Sequence, residues 1–464
     1  MKKFFIMLLA LAVGVGYGEL LFSEQETLYL KLDDALTLAV NNNKTLKISL
    51  EKVKAKAAEK DIARASFLPQ ANLSATYTRL SKTQGFPLTM PIYGKIRFPV
   101  YDLTGNLLGF TESIPTIIGA SVDTLEMTKQ DNYLLRTSIS QTLFSWGKLF
   151  NNYQIARAFF EIEQENYRQQ ERNLKFQVTQ SYYQTILAQK GLELISESYS
   201  QMEKHLHQVE NLYRNGLASE LDLLQAQVAL ANLRTQLLRS QSSCELAYSF
   251  LKNLIGIPDE TPIVLTEDIE FKPETISLHE AINTALQNRS ELKNLRTTIE
   301  ILKKSKAISK TLTLPNLFAN FNYDYKKPYG FTGNNWGSDY NITLGGQMAL
   351  SLGGADYYKI KKSEHELKQS QLSLVMLEEQ ISLEVKTTYR TLQNELEVLK
   401  MQEENLKKAQ RALELATTRY ANGLITNLEY ISTQLQLQQA QFEKLNATIN
   451  CLVAQKKLLN VMGK

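Results

Sequence analysis

The sequence predicts an α+β membrane protein folded as an internal tandem repeat. Each half is expected to supply two β-strands of membrane-spanning length and one hairpin of very long coiled-coil helices. Three observations carry that expectation. The first is a repeat running through the whole chain. "LDDALTLAVNNNKTL" from Leu32 aligns without gaps with "LHEAINTALQNRSEL" from Leu278, an offset of 246 that still holds at Leu68-Pro69 against Leu314-Pro315 and at Tyr77 against Tyr323. From Val178 onward the offset is 207, and residues 213–256 then share 13 identities in 44 with residues 420–463. Self-similarity on this scale decides architecture before any local reading does. The second observation is two-residue alternation of apolar and polar residues, and the third is a seven-residue apolar period in stretches almost free of Pro and Gly.

In chain order, "MKKFFIMLLALAVGVGYG" comes first: two lysines, an apolar run from Phe4 to Val15, and small residues Gly16 and Gly18 at cleavage positions. It reads as a secretory signal peptide over residues 1–18. A retained anchor helix is the alternative, but the run is shorter than the ~20 apolar residues of a bilayer span. No later stretch reaches that length, so a membrane crossing by this chain has to be made by strands. The 464 residues amount by length to two or three ordinary domains. Instead the repeat divides them into residues 19–270 and 271–464. Formal net charge is +4, and two of those charges are Lys2 and Lys3 of the leader, a balance that does not suggest a nucleic-acid partner.

The first strand is expected near 68–80, where Asn72, Ser74, Thr76 and Thr78 interleave with Ala71, Leu73, Ala75 and Tyr77. Its counterpart lies near 315–326. The second strand of the first half, near 134–145, alternates weakly. That of the second half, near 339–352, places Tyr340, Ile342, Leu344, Met348, Leu350 and Leu352 on one face and Asn341, Thr343, Gln347 and Ser351 on the other. About ten residues each is the length of a membrane strand. The change of offset leaves some 39 extra residues in the first half. The insert, residues 81–133, holds Pro87, Pro91, Pro99 and Pro115 and reads as a long surface loop, or else as a small excursion with its own hairpin.

Between Gly147 and Asn215 there is no Pro and one Gly, which predicts a helix of some 65 residues, ~100 Å long at ~1.5 Å per residue. The stretch 354–422 matches it. Val385, Leu392, Leu399, Leu406, Leu413 and Tyr420 recur every seven residues, as do Val178, Thr185, Leu192, Tyr199, Leu206 and Tyr213, so these helices pack side by side. Each ends at a tip, near 214–219 and 421–426. Gly216 and Gly423 are placed to take the left-handed conformation that stops a helix. Ser219 with Asp222, and Thr426 with Glu429, form S/T-x-x-D/E boxes that start the next one. The result is two equivalent antiparallel helical hairpins.

Four strands cannot close a barrel, and an open sheet edge in lipid leaves backbone groups unpaired. Oligomerisation is therefore required: two copies give eight strands and a filled lumen, three give twelve and room for a passage. With leader, duplicated halves, strands flanking long hairpins and paired Y-x-N-G-L tips, the chain resembles the TolC family of outer-membrane efflux channels across residues 19–464. That resemblance implies a homotrimer: a twelve-stranded transmembrane β-barrel continuous with a helical periplasmic barrel. It also implies a conduit for tripartite efflux or type I secretion, working with a periplasmic adaptor (membrane fusion protein) and an inner-membrane pump. The adaptor would dock at Asn215, Gly216, Leu217, Asn422, Gly423 and Leu424, where Asn replaces the family's usual Val. The periplasmic gate would include Tyr420, Glu429 and Asp222. Ile425 stands where well-studied members have Arg, and Ser432 where they have a second acid, so their salt-bridge pattern is not implied here. Capping alone accounts for Asp222 and Glu429, and the heptad row for Tyr420; those readings are compatible with a pore-facing role.

Cys244 and Cys451 fall in heptad rows at equivalent places and are expected as free buried thiols rather than a disulfide. His205, His207, His279 and His365 have no metal-ligand spacing and are expected to be solvated. The sequence contains no G-x-S-x-G, no G-x-x-x-x-G-K-[ST] and no H-E-x-x-H, so nothing argues for an enzyme, a cofactor or a metal. The alternative from another class is a soluble periplasmic coiled-coil scaffold or adaptor. The apolar stripe of the last strand and the presence of two equivalent hairpins speak against it.

Overall fold

The computed structural model describes residues 27–126, 128–267, 269–273, 276–330, 333–349 and 351–464; the expected leader and Leu350 lie outside the described residues. The chain opens with β1 (Leu28–Leu30), α1 (Leu32–Asn42), α2 (Lys44–Ala65) and β2 (Gln70–Arg79). The insert carries β3 (Gly85–Ile96), β4 (Pro99–Tyr101), β5 (Leu107–Phe110) and β6 (Ile114–Glu126). It is followed by β7 (Asp131–Phe144), α3 (Lys148–Arg214), α4 (Glu220–Ile255) and β8 (Ile263–Leu265). The second half runs α5 (Leu278–Asn288), α6 (Ser290–Lys310), β9 (Asn316–Lys327), β10 (Gly337–Gln347), α7 (Ala355–Ala421) and α8 (Asn427–Val461). These elements divide into two compact units. One comprises the chain up to Lys52, Gln164–Asn294 and Val375–Lys464; the other comprises Val53–Glu163 and Leu295–Leu374.

The first unit is built on the long helices. Both α3 and α7 run for 67 residues, α3 from just after Gly147 to just before Gly216 and α7 from just after Gly354 to just before Gly423. The seven-residue rows are buried at Val178, Thr185, Val385 and Leu392, and Ser181, Tyr182, Ile381 and Thr388 fill the intervening three- and four-residue steps. That alternation is the seam of a coiled coil. Beside it, β1 and β8 pair in parallel. Leu30 accepts a hydrogen bond at its carbonyl from the Tyr182 hydroxyl (3.0 Å) and packs with Ala35, Leu46, Val178 and Ile255. Glu267 accepts from the Leu32 N–H (3.0 Å) at the start of α1 and from the Tyr183 hydroxyl (3.4 Å). Burial first, then the Glu267 charge, pushes the Tyr183 pKa up to about 12.

The repeat persists down to single contacts. Gly256 ends α4 with φ 73°, and a Cβ there would come 2.9 Å from Asn42 Cβ and 3.1 Å from the Asn42 carbonyl carbon. Gly463, 207 residues later, has φ 78°, and its Cβ would meet the Cβ and carbonyl carbon of Asn288 at 3.1 Å. Asn42 and Asn288 are themselves 246 apart, so both offsets meet at one contact. Asn43 Nδ2 donates to the Leu254 carbonyl (3.0 Å), and its equivalent Arg289 donates to the Val461 carbonyl (3.2 Å).

The second unit holds a four-stranded antiparallel sheet in the order β10-β9-β7-β2. Its register separates two faces. One carries the rows Ser74-Arg136-Asp324-Asp339 and Asn72-Ser138-Asn322-Asn341. There Arg136 grips Asp324 with two bonds of 2.6 and 2.7 Å, and Lys326 pairs with Asp339 at 2.8 Å. The other carries Leu73-Thr137-Tyr323-Tyr340 and Ala71-Ile139-Phe321-Ile342. Leu73, Tyr340, Ile342 and Leu344 are about 70 % exposed, a contiguous apolar face without cover among the described residues. At one end of that face Tyr77, Tyr133, Trp336 and Tyr325 form a chain of rings with centroids 5.0, 5.8 and 4.9 Å apart, the arrangement of an interfacial aromatic belt. Among the described residues no helix is long and apolar enough to cross a membrane.

Two expectations need correction. Of the two readings of the insert 81–133, the excursion with its own hairpin holds and the long loop does not. Within the insert β3 pairs with β6 and β4 with β5, linked by a bond from the Thr111 N–H to the Phe98 carbonyl (2.8 Å), so that one long two-stranded ribbon leaves the sheet. A ribbon tolerates proline because each strand has a free edge; Pro87 and Pro91, of the same parity, turn their missing N–H toward the same edge. The last strand also stops at Gln347 rather than continuing to 352, because its partner begins at Asn316, directly after Pro315, which has no N–H with which to extend the ladder.

Gly256→Ala should lower stability by about 1–3 kcal/mol, since it combines a left-handed φ with a clash against backbone. Gly216→Ala has the same φ problem in open space and should cost about 1 kcal/mol. Heat-unfolding midpoints compare the two; equal shifts would show that the Asn42 contact contributes nothing.

Candidate functional site

The two tips are built by the same local chemistry. At the end of α3 the Leu217 N–H donates to the Leu212 carbonyl (2.8 Å) and the Gly216 N–H to the Tyr213 carbonyl (3.0 Å), with Gly216 at φ 71°. At the end of α7 the bonds are Leu424 to Arg419 (2.9 Å) and Gly423 to Tyr420 (3.0 Å), with Gly423 at φ 70°. Each is a Schellman closure. The Asn215 and Asn422 side chains donate to the Asn211 and Thr418 carbonyls, both at 2.8 Å; the Asn211 carbonyl also takes the Asn215 N–H (3.2 Å), whereas the Asn422 N–H goes to the Arg419 carbonyl (3.2 Å). Leu217 and Leu424 point the other way, 75 % and 72 % exposed.

Ser219 and Thr426 then start α4 and α8. Asp222 accepts from the Ser219 N–H (3.1 Å) and hydroxyl (2.6 Å), and Glu429 from the Thr426 N–H (2.7 Å) and hydroxyl (2.9 Å). The Thr426 backbone N–H, helped by its hydroxyl, holds the Glu429 carboxyl below its usual range. Both carboxylates are therefore engaged in capping, and within one chain neither bonds the Tyr420 hydroxyl.

Tyr420 turns inward and stacks on Tyr430, with centroids 5.0 Å apart and 19° between planes. Burial, then the nearby Asp222 and Tyr430, raises the pKa of its hydroxyl. Against both rings lies His205 of α3, 5.4 Å from Tyr420 and 4.8 Å from Tyr430. The imidazole is 3 % exposed, which corrects the expectation that all four histidines are solvated; its place is the core stripe of Met202 and Val209, three residues before it and four after. His205 Nε2 and Asn427 Oδ1 are 2.7 Å apart, and Asn427 Nδ2 donates to the Asp222 carbonyl (3.0 Å). Of the expected gate residues the structure brings Tyr420 and Asp222 into one cluster. Glu429 stays on the surface, while His205, Asn427 and Tyr430, which were not singled out, complete the cluster. Beside it, between α4 and α8, a groove of about 730 Å³ is lined by Leu221, Leu224, Val228, Leu428, Ile431 and Leu435. Cys244 and Cys451 are free and buried.

The model of the outer membrane efflux protein family matches residues 35–257 and 281–464. The alkaline protease secretion protein AprF of Pseudomonas aeruginosa is 22 % identical over 335 residues, 71 % of this chain and 69 % of that protein. The outer membrane protein TolC of Vibrio cholerae is 20 % identical over 371 residues, 78 % of this chain and 84 % of that protein. Among solved structures, the CmeC outer membrane channel of Campylobacter jejuni has a similar fold, with a TM-score of 0.73 at 15 % identity over 93 % of this chain and 85 % of that one.

Asn427→Ala leaves the buried imidazole N–H and the Asp222 carbonyl without their partner and should cost about 1–3 kcal/mol. Asn422→Ala, which removes an exposed bond, should cost less than about 0.5 kcal/mol. Denaturant midpoints of the two variants test the difference, and a larger effect at Asn422 would mean the tips are not joined through Asn427.

Proposed function

The chain belongs to the outer membrane efflux protein family, and we propose that three copies of it form a passive conduit from a periplasmic adaptor and inner-membrane pump to the exterior. It is a channel protein of the outer membrane that reaches into the periplasm, in a family that carries out transport rather than catalysis. The observation that carries the trimer is the sheet: apolar on one face and polar on the other, with β2 and β10 left as open edges. Three such sheets joined β10 to β2 close twelve strands around a lumen wide enough for passage. The lumen wall is then the Asn, Ser and paired-charge face, on which Arg136 and Lys326 balance Asp324 and Asp339. The soluble scaffold has no use for an apolar face of this kind and is set aside.

At the hairpin tips, exposed Leu217 and Leu424 with Gly216, Gly423, Asn215 and Asn422 offer the adaptor two equivalent small apolar contacts. Tyr420, Asp222 and Glu429 would form the constriction when three copies bring their second tips together. Relatives named for protease secretion and for efflux both fit such a conduit, because the pump selects what enters it.

The test is single-channel conductance of the detergent-extracted protein in planar bilayers, with its mass measured in parallel. A trimer that inserts and conducts weakly is expected, and Tyr420→Phe with Glu429→Gln should raise the conductance. An unchanged conductance would remove those two residues from the gate, and a monomer that never inserts would overturn the conduit. Leu217→Asp with Leu424→Asp should leave bilayer conductance intact yet make cells as sensitive to toxic compounds as a deletion strain does.

A further inference from the structure

The cluster around His205 joins the two hairpins near their tips, and the internal repeat does not provide a second copy of it. By the 207-residue offset the second half has Ala412 where the first has His205, while the first half has Glu220 and Leu223 where the second has Asn427 and Tyr430. The repeat is broken at these positions, although the same offset holds again at Cys244 and Cys451. The amide of Asn427 is oriented by its bond to the Asp222 carbonyl, so Oδ1 faces the imidazole and His205 must donate from Nε2–H. Nδ1 is then the bare nitrogen, with no hydrogen-bond partner among the described residues.

We propose that His205 is the positioning residue of the tip gate: uncharged, it holds Tyr420 and Asn427 so that the two tips stay together, and a proton taken up at Nδ1 releases them. This deepens the conduit reading and rests on it. The ionisable groups facing the ring are Tyr420 from α7 and Tyr430 from α8. From α4, Asp222 offers its backbone carbonyl through Asn427 while its carboxylate stays on Ser219; Glu429 of α8 is turned to Thr426, and on α3 itself His207 is turned to Glu210. No carboxylate therefore stands ready to stabilise an imidazolium. Burial pulls the imidazole pKa below its usual 6.5, and the Asn427 bond offsets only part of that.

The direction follows from linkage. A released tip restores ordinary proton affinity, so the released state binds more protons than the latched one. The latch is at full strength above pH 6.5 and weakens as the pH falls below that value, until the latched imidazole itself titrates.

The experiment records open probability of the full-length channel in bilayers as the pH is stepped from about 7.5 to about 4.5. Wild type should be closed at the upper end and open more by about tenfold at the lower end. His205→Gln, whose amide can still donate to Asn427 but cannot take up a proton, should stay closed throughout, and His205→Ala should be open at pH 7.5. A His205→Gln channel with the wild-type pH profile, or a wild type with none, overturns the latch while leaving the conduit in place. If neither His205→Ala nor Tyr420→Phe with Glu429→Gln passes current, the conduit reading falls and the latch with it.

Discussion

A peptide group in hydrocarbon has no water to bond to, and that single constraint organises the strand-bearing part of this chain. Each unpaired N–H or C=O at a lipid-exposed sheet edge costs several kcal/mol, so a sheet ending in two bare edges, β2 and β10, is unfinished by itself. Completion has to come from further copies of the same chain, because β2 and β10 are the edges a head-to-tail ring brings together. The apolar outer face and polar inner face follow from the same closure: alternation along each strand sends Tyr340 and Ile342 one way and Asn341 and Asp339 the other. The paired charges Arg136-Asp324 and Lys326-Asp339 are the form in which charge can line a wall without leaving an ion unmatched.

The helical part is governed by a different economy of contacts. Helices of 67 residues do not bury all their apolar residues within one chain, and Leu224, Val228, Leu428 and Leu435 near the tips stay exposed in it. Against that background the His205 cluster is a place where one chain packs its two hairpins against each other. It buries an imidazole and an amide against two half-buried phenol rings, between hairpins that the duplication made alike, at the point where the two copies have since diverged.

Much of this was legible in the sequence because breakers and periods are local. Gly216, Gly423 and the boxes Ser219-Asp222 and Thr426-Glu429 mark the tips with residues whose geometry leaves little choice, and the offsets of 246 and 207 carry each assignment from one half to the other. What escaped was set by partners. Four prolines signal a loop unless one knows that the strands bearing them have a free side. The alternation after Gln347 continues through Met348 and Leu352, yet the strand ends because β9 begins after Pro315. His205, lacking metal-ligand spacing, reads as a solvated histidine, although its spacing from Met202 and Val209 places it on the buried stripe.

The ribbon raised from the first half has a consequence for what this surface can become. The sheet closes its register below it, at Arg79 opposite Asp131 and at the bond from the Leu80 N–H to the Gln130 carbonyl, before the ribbon begins. The second half joins β9 to β10 at the same end of the sheet with only the short stretch of sequence between Lys327 and Gly337. Length above that closure is thus uncoupled from the ladder beneath it. Foreign sequence grafted between Gly85 and Glu126 would be borne by a hairpin base already secured, once per subunit, which makes this the site on the chain best suited to display.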